Sequence, residues 1–542
     1  MTLSTLLACW AAALALFWQL HEHGFSYSII SLFALSASIT YCLAIATYRL
    51  FFSPLAGFPG PWLAAATFGY EFYYDIWPHS FRYMWKIKDL HDHYGPIVRI
   101  TPLHLHISDP FFFDEIYPSD SRRKRERCAW FCGQSTDTLG SGGISSTFGH
   151  DLHRRRRAAV APLFSKKNVN ELQPLVKKKV EKLLGRFAQA QEDGSVINLV
   201  DAMSALTMDV ISSYCFGKDM RQLEKPEFAA QAVWEMQQGS RVSRWARHMP
   251  WFFDAVLSLP PWVLRLLQPE FPEENPWDVM NRKMQYILDH PQEPTEDGNI
   301  TIIHTIKDSN LPQEERTAHR LTDEAATFLG AGTETTGRVL AVTAYYLLAN
   351  VELLARLREE LETVMPHPNT DVPLPELEKL PFLTGVLYEG LRMANGVAGR
   401  MPRVATSENL VYHTHNNMKR ELDKTFVIPP GVAVMESIYL LHHKEDLFPN
   451  SYEFLPDRWI GNPGLKQHLY AFGKGARACL GSNLAWSELY QTIAILFRRF
   501  NLQLHDTLES RDVRIVRDAS IAMMTPSSKG IRVKILDQLT SS

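Results

Sequence analysis

Two stretches near the N-terminus carry no charged residue: residues 3–20, LSTLLACWAAALALFWQL, and residues 25–48, separated only by HEHG. Hydrocarbon offers no partner to a bare backbone N–H or C=O, so a segment that crosses it must satisfy both groups internally, as a helix does. Each run is long enough to span a bilayer core as a helix. No Lys or Arg precedes the first run, whereas a cleaved signal peptide begins with a basic region; the segment reads as a retained anchor. The first basic residue is Arg49, directly after the second run. Positive charge stays on the cytoplasmic side, so this end and everything after it face the cytosol. That holds for one span, with the other run interfacial or buried, and equally for two.

The anchor is assigned to residues 1–48 and a proline-rich hinge to residues 49–62, which include FFSPLAGFPGPW with Pro54, Pro59 and Pro61. Proline fixes φ and removes a donor, so this stretch is a stiff, non-helical connector. Residues 63–542 form one unit, without internal repeat, low-complexity tract or composition break. YGPIVRITPLHLHIS alternates as strands do, as do RVATSENLVYH, FVIPPGVAVM and Arg532 to Leu536. From about residue 165 to 395 the periodicity is helical, as in NELQPLVKKKVEKLLGRFAQA and VLAVTAYYLLANVELLARLREELETV. The fold class is mainly α with small β-sheets. A net charge of −3 gives no global reason to expect nucleic acid as a partner. Six cysteines without CxxC or zinc spacing form no disulfide framework, which suits a reducing, cytosol-facing environment. Cys128 and Cys132 in CAWFC read as packing on one face.

One cysteine is placed differently. In FGKGARACLG, Phe472 to Gly481, Cys479 lies among small and basic residues where a loop turns into the helical pattern LAWSELYQTIAILFRRF. Thiolate is the metal-binding form of cysteine, and its pKa falls at a helix N-terminus. Gly475 and Gly481 leave room for a flat ligand and for amides to point at sulfur, and Arg477 adds positive charge. The arrangement suits an axial ligand to haem iron, though a plain loop cysteine fits the decapeptide alone equally well.

Phe472-x-x-Gly475-x-Arg477-x-Cys479-x-Gly481 resembles the haem-binding signature of the cytochrome P450 family. Three other motifs follow the family's order: AGTETT (Ala331 to Thr336), EGLR (Glu389 to Arg392) and FLPDRW (Phe454 to Trp459). The resemblance covers essentially the whole chain. It implies haem b as cofactor, with Cys479 as the iron ligand and Phe472, Arg477 and Gly481 around it. It also implies a carboxylate, Glu389, held between Arg392 and Arg458 as a fold lock; Asp457 stands where the family has Glu. Ala331 and Gly332 would let a flat ligand and dioxygen approach the helix backbone. Glu334 and Thr335, an acid and an alcohol side by side, would relay protons; a threonine bonded back to its own helix is the bland alternative. Arg157 matches a propionate-binding arginine, His153 replaces the usual tryptophan of that motif, and Arg403 matches another propionate arginine. Arg154, Arg155 and Arg156 are either a solvated face or a patch for a redox partner. His442-His443 reads as structural.

The finer likeness of HRRRRAAVAPLFSKKNV, RMPRVA and GSNLAWSELY is to the fungal microsomal group that includes trichodiene oxygenase. It implies a monooxygenase on the endoplasmic reticulum membrane, its catalytic part in the cytosol. Such an enzyme takes electrons from NADPH-cytochrome P450 reductase, with cytochrome b5 as an optional second donor, and hydroxylates or epoxidises a hydrophobic, terpenoid intermediate of secondary metabolism with O2. A polyketide or alkaloid substrate, a non-oxygenating isomerase, and a haem-binding module without turnover are the alternatives. Expected pocket walls are the loop 121–145, Phe328 and Ala331, Val397 to Gly399, and Ile521 to Met524. The segment Val242 to Phe271 is expected either to dip into the bilayer or to pack as ordinary helix.

Overall fold

The computed structural model describes residues 26–539 except 121, 133–141, 268–275, 291–300 and 415–423, together with residues 19, 22 and 23. The first apolar run therefore lies outside the described residues apart from Gln19. The second forms helix α1 (Tyr27–Thr47), opened by Ser26, whose hydroxyl accepts from the Ile29 N–H. A π-helical turn carries the helix on through Phe52. Arg49 to Phe52, expected at the start of a non-helical connector of residues 49–62, are thus helical, as is Trp62 at its end, and the break comes at Ser53–Pro54. The span Tyr27–Phe52 has mean hydropathy 2.1 and only 6% of its most apolar window is buried, so it is long and apolar enough to cross a membrane.

The connector is pinned from inside the protein. Arg99 is fully buried and its guanidinium donates to the carbonyls of Arg49 (2.9 Å), Leu55 (3.1 Å), Ala65 (3.4 Å) and Pro102 (2.9 Å). Gly60, at φ +154°, lets the two backbones close: a Cβ there would stand 2.5 Å from Arg99 O.

Seven further helices carry the argument: α2 (Gly69–Asp75), α3 (His150–Val160), α4 (Leu199–Phe216), α5 (Ala230–His248), α6 (Ala318–Ala349), α7 (Pro381–Ala394) and α8 (Ser482–Arg499). The central α6 starts at Thr317, whose side chain accepts from Arg320 N–H. It stops at Asn350, which caps the next helix by accepting from Glu352 and Leu353 N–H. α4 is also apolar enough to cross a membrane, yet 89% of its window is buried. A helix apolar all round belongs in a core, and this one lies against α6. Two glycines of α6 permit the contact: a Cβ on Gly332 would meet Ile211 Cγ1 at 2.9 Å, and one on Gly337 would meet Ser204 Oγ at 2.8 Å. Thr207 Oγ1 donates to Thr333 O at 2.8 Å across the same seam.

The strands form small sheets at the rim. Strands β1 (Ile97–Arg99), β2 (His104–Ile107), β3 (Arg125–Arg127), β5 (Arg403–Ala405) and β8 (Ala433–Met435) make one sheet in the order β1-β2-β8-β5-β3, with β2 and β8 parallel. β4 (Val196–Asn198), β9 (Phe500–Leu504) and β12 (Arg532–Gln538) make a second, with β12 central. β6 (Leu410–His413) pairs with β7 (Thr425–Ile428), and β10 (Arg517–Ala519) with β11 (Ile521–Met523). The mainly helical class with small sheets is what the periodicities predict.

Candidate active site

A cavity of about 450 Å³ lies between α6 and the loop that precedes α8. The loop is shaped by its backbone. Gly475 takes φ +75° because a Cβ there would strike Pro118 O at 2.6 Å and Tyr117 O at 2.7 Å. Its glycine thus serves this loop crossing, whereas a Cβ on Gly481, which lines the cavity, would meet nothing within 4 Å. Cys479 N–H donates to Phe472 O at 2.7 Å and closes the loop. The thiol surface is exposed, and the space it faces is the cavity.

The electrostatics at sulfur differ from the sequence expectation. Burial pushes the Cys479 thiol up; the Gly481 N–H and the Arg157 guanidinium pull it back. α8 begins only at Ser482, so its N-terminus acts through that one amide. Arg477 turns away and donates to Phe148 O at 2.8 Å, which leaves Arg157 as the cation beside the sulfur.

Five arginines line the cavity, Arg127, Arg157, Arg400, Arg403 and Arg477, of which Arg400 is already paired with Glu71 at 2.8 Å. Arg157 donates to Ala478 O at 2.8 Å. Arg127 sits directly opposite Arg403 in the β3–β5 register, where like charges repel unless an anion lies between them. His153 lines the same cavity, and burial, reinforced by Arg477 and Arg157, pushes its pKa down to about 3, so it is neutral. A thiol ligand on one wall and converging cations at its edge fit a flat metallocycle carrying two carboxylates, which is haem b. Arg127 escapes sequence reading because its relation to Arg403 exists only through strand pairing.

Away from the cations the walls are carbon: Ile144, Phe164, Ile211, Phe328, Val339 and Val397 among them. Phe328, Ala331, Val397 and Gly399 line the cavity as expected; of the loop 121–145, residues 121 and 133–141 lie outside the described residues, and the rest contributes Arg127, Ile144 and Ser145. Ala398 is buried outside it, and the late turn reaches it through Ser520 rather than Ile521 to Met524. Phe164 stacks on Phe328 with ring centres 5.8 Å apart, a wall that no motif marks.

On α6, Ala331 and Thr335 are one turn apart and line the cavity. Thr335 Oγ1 donates back to Ala331 O at 2.8 Å, leaving its lone pairs for the cavity. Glu334 does not line it. Burial pushes its carboxyl up to about 7, opposed by Arg338 and a hydrogen bond from Gln237 of α5. The acid and alcohol therefore occupy different faces of α6. Gly332 lines the cavity too, but the Cβ it lacks would point at Ile211, so helix packing is the reason for that glycine. On α8, Glu488 is buried at the cavity wall and burial alone pushes its carboxyl far above the usual range.

Behind the site, Glu389 accepts from Arg392 through two bonds of 2.7 and 2.9 Å and from Arg458 Nε at 3.1 Å. Trp459 Nε1 (2.8 Å) and Leu455 N–H (2.9 Å) complete its shell. Arg392 also donates to the carbonyls of His442, Ser451 and Glu453. Asp457 instead makes an exposed pair with Arg356 at 2.7 Å. His442 joins Asn395 Oδ1 at 2.9 Å and accepts from Tyr470 N–H at 2.9 Å, a structural residue. Arg154 and Arg155 are exposed, but Arg156 is not part of a surface patch: it forms an ion pair with Glu315 at 2.8 Å.

Comparison with known proteins agrees with this geometry. The cytochrome P450 family model matches residues 59–529. The chain is 38% identical to cytochrome P450 monooxygenase tpcC of Cochliobolus heterostrophus, covering 92% of this chain and 96% of that protein. It is 37% identical to cytochrome P450 monooxygenase MO6277 of Ascocoryne sarcoides, over 94% and 99%. It is 36% identical to tryptophan 6-hydroxylase fscE of Fusarium equiseti, over 94% and 96%.

Proposed function

The chain belongs to the cytochrome P450 family, and from that premise we propose that it oxidises a hydrophobic intermediate of fungal secondary metabolism, of terpenoid type. It is a monooxygenase with haem b as its cofactor, supplied with electrons by a redox partner and with O2. Haem iron with a cysteine thiolate supplies the chemistry that splits O–O. The chain's own residues do the rest. Cys479 provides the sulfur. Arg127, Arg157, Arg403 and Arg477 would hold the propionates with charge-assisted bonds, and neutral His153 would pack beside them. Thr335 lines the cavity from α6, and its Oγ1 would offer a proton there by turning away from Ala331 O. Glu334, the next residue on α6 and raised to about 7 chiefly by burial, would resupply protons from beside it. The buried Glu389–Arg392–Arg458 cluster keeps α7 and the segment 454–459 in register behind the site.

The observation that supports the substrate reading is the largely apolar lining of the cavity that Cys479 faces, which suits a sparsely oxygenated skeleton. An alkaloid or other aromatic intermediate is the second reading, favoured by the tryptophan 6-hydroxylase among the relatives. Electrons come from NADPH through a cytochrome P450 reductase, with cytochrome b5 as an optional second donor. Tyr27–Phe52 anchors the protein in the endoplasmic reticulum membrane with Arg49 and the catalytic part in the cytosol. Expression with a compatible reductase, with metabolites compared between wild type and Cys479→Ala, tests the proposal. The variant should lose both the thiolate type of ferrous–carbon monoxide spectrum and every oxygenated product; retention of either would overturn it. The product skeleton distinguishes terpenoid from aromatic.

A further inference from the structure

The short segment 142–147 is clamped onto α6 by more groups than a surface loop needs. Arg156 Nη1 donates to Gly142 O and to Thr147 Oγ1, both at 2.7 Å, and Arg320 Nη1 donates to the same Gly142 carbonyl. Glu315 holds both arginines, at 2.8 Å to Arg156 and 3.0 Å to Arg320. Glu324 Oε2 accepts from the Ile144 N–H at 3.0 Å and is itself buried. The two glycines let the backbone lie directly on the helix. A Cβ on Gly142 would stand 1.9 Å from Asp323 Oδ2; one on Gly143 would stand 2.1 Å from Thr327 Oγ1 and 3.0 Å from Asp323 O. The next two residues, Ile144 and Ser145, line the cavity, as does Thr327 beneath them.

We propose that Gly143 and Glu324 are positioning residues that fix how far Ile144 and Ser145 project into the cavity, and so set which ligand shapes it accepts. Neither acts on a reacting atom. Glu324 faces the loop amide, and the Gly143 site faces Thr327 from outside the cavity. At Gly142 and Gly143 the loop has no side chain of its own between its backbone and α6, and the Gly143 site also meets the Asp323 carbonyl, which is backbone. A Cβ added at Gly143 should therefore displace the loop and, with it, the adjoining Ile144. One methylene in an apolar pocket changes discrimination by about tenfold or more, so a lift of the loop by the width of a methyl group should be legible in ligand preference.

The inference rests on the haem reading, and the test separates the two. Full-length, haem-loaded protein is titrated spectrally with imidazole, which needs only the iron, and with 4-phenylimidazole, whose ring extends into the cavity. The readout is the ratio of the two dissociation constants. Gly143→Ala and Glu324→Ala should each change that ratio by about tenfold, with imidazole binding and the ferrous–carbon monoxide spectrum kept. Glu324→Gln retains an acceptor for the Ile144 N–H and should stay close to wild type. A ratio unchanged in both alanine variants, or a change in Glu324→Gln as large as in Glu324→Ala, would overturn the proposal. If Gly143→Ala does not load haem, the two Glu324 variants decide it. Failure of wild type to bind imidazole at iron would instead strike the haem reading itself.

Discussion

At the scale of single residues, α6 divides its polar groups between two faces, and the division sets two expectations. Thr335 is one of three α6 threonines that line the cavity, with Thr327 and Thr336, and it is already bonded to Ala331 O. A group that holds a proton at the reacting atoms contributes about 10²–10⁴-fold. Thr335→Ala should therefore keep its haem and go on consuming NADPH while making less product and more hydrogen peroxide. Product formed per NADPH oxidised, with peroxide assayed in parallel, is the measurement, and an unchanged ratio would take this role from Thr335. Glu334 is held up at about 7, chiefly by burial, against an ordinary value of 4.5. The folded chain thus keeps a proton that the unfolded chain releases, so stability falls as pH rises from about 4.5 to 7 and is level above. The shift corresponds to about 3 kcal/mol at full extent. Glu334→Gln should flatten the pH dependence of the unfolding midpoint across that window; the same slope in the variant would assign the titration to another group.

Between elements, buried charge does the registering. Arg244 of α5 meets Asp75 of α2 at 2.7 Å and Asp518 of β10 at 2.9 Å, and Arg400 meets Glu71 of α2 at 2.8 Å, all of them almost fully buried. Burial pushes the Glu71 carboxyl up, but Arg400, with His248, Arg247 and His104, together outweighs it and holds the group at about 2. The ligand atoms of Glu71, Asp75 and His248 lie within 4.8 Å of one another, yet guanidiniums already occupy the two acids, which argues against a metal there. Arg244→Ala leaves two buried carboxylates without it and should cost about 3–5 kcal/mol. Arg356→Ala, which removes the exposed pair with Asp457, should cost about 1 kcal/mol or less. Urea unfolding of the two variants side by side checks the contrast, and equal losses would contradict it. None of these partners is legible in the sequence, because each pair joins residues more than a hundred positions apart and no local period marks an ion pair. The same limit explains Trp459 and Arg127. Glu389 and Arg392 announce each other by lying on one helical face, but their other partners arrive through the fold. Gly332 and Gly475 were legible as glycines and misread in purpose, since what a missing Cβ avoids depends on the segment that crosses it. The mainly helical class, the strands at the rim and the loop that presents Cys479 followed from period and turn chemistry alone.

Across the whole molecule, the end of α1 and the segment after α5 come together. Arg49 lies over the Phe68 ring at 5.8 Å, Phe68 stacks on Trp130 at 4.1 Å, and Trp130 meets His248 edge-on at 5.7 Å. Directly after His248 the helices Pro250–Leu257 and Pro261–Leu267 leave Trp251, Phe252, Trp262 and Leu266 exposed. Residues 268–271 of the segment expected to dip into the bilayer lie outside the described residues. Exposed aromatic and aliphatic side chains beside a helix long and apolar enough to cross a membrane suit the membrane interface, where Trp and Tyr are enriched. Arg99 ties this corner to the first strand through its four carbonyl partners, so anchor and segment keep a fixed relation. Two attachments of unequal strength follow. Deleting residues 1–48 removes most of the apolar helix and should free part of the protein from microsomes, with the carbon monoxide spectrum intact because no described residue of that stretch lines the cavity. The remainder should stay bound through the exposed segment. Replacing Trp251, Phe252, Trp262 and Leu266 by serine in the shortened chain should then release it. Flotation of the three proteins with vesicles of neutral lipid measures both steps. Full release on deletion alone would leave the segment as ordinary surface, and no release in the multiple variant would place the second attachment elsewhere. Loss of the spectrum on deletion would make the anchor part of the folding unit.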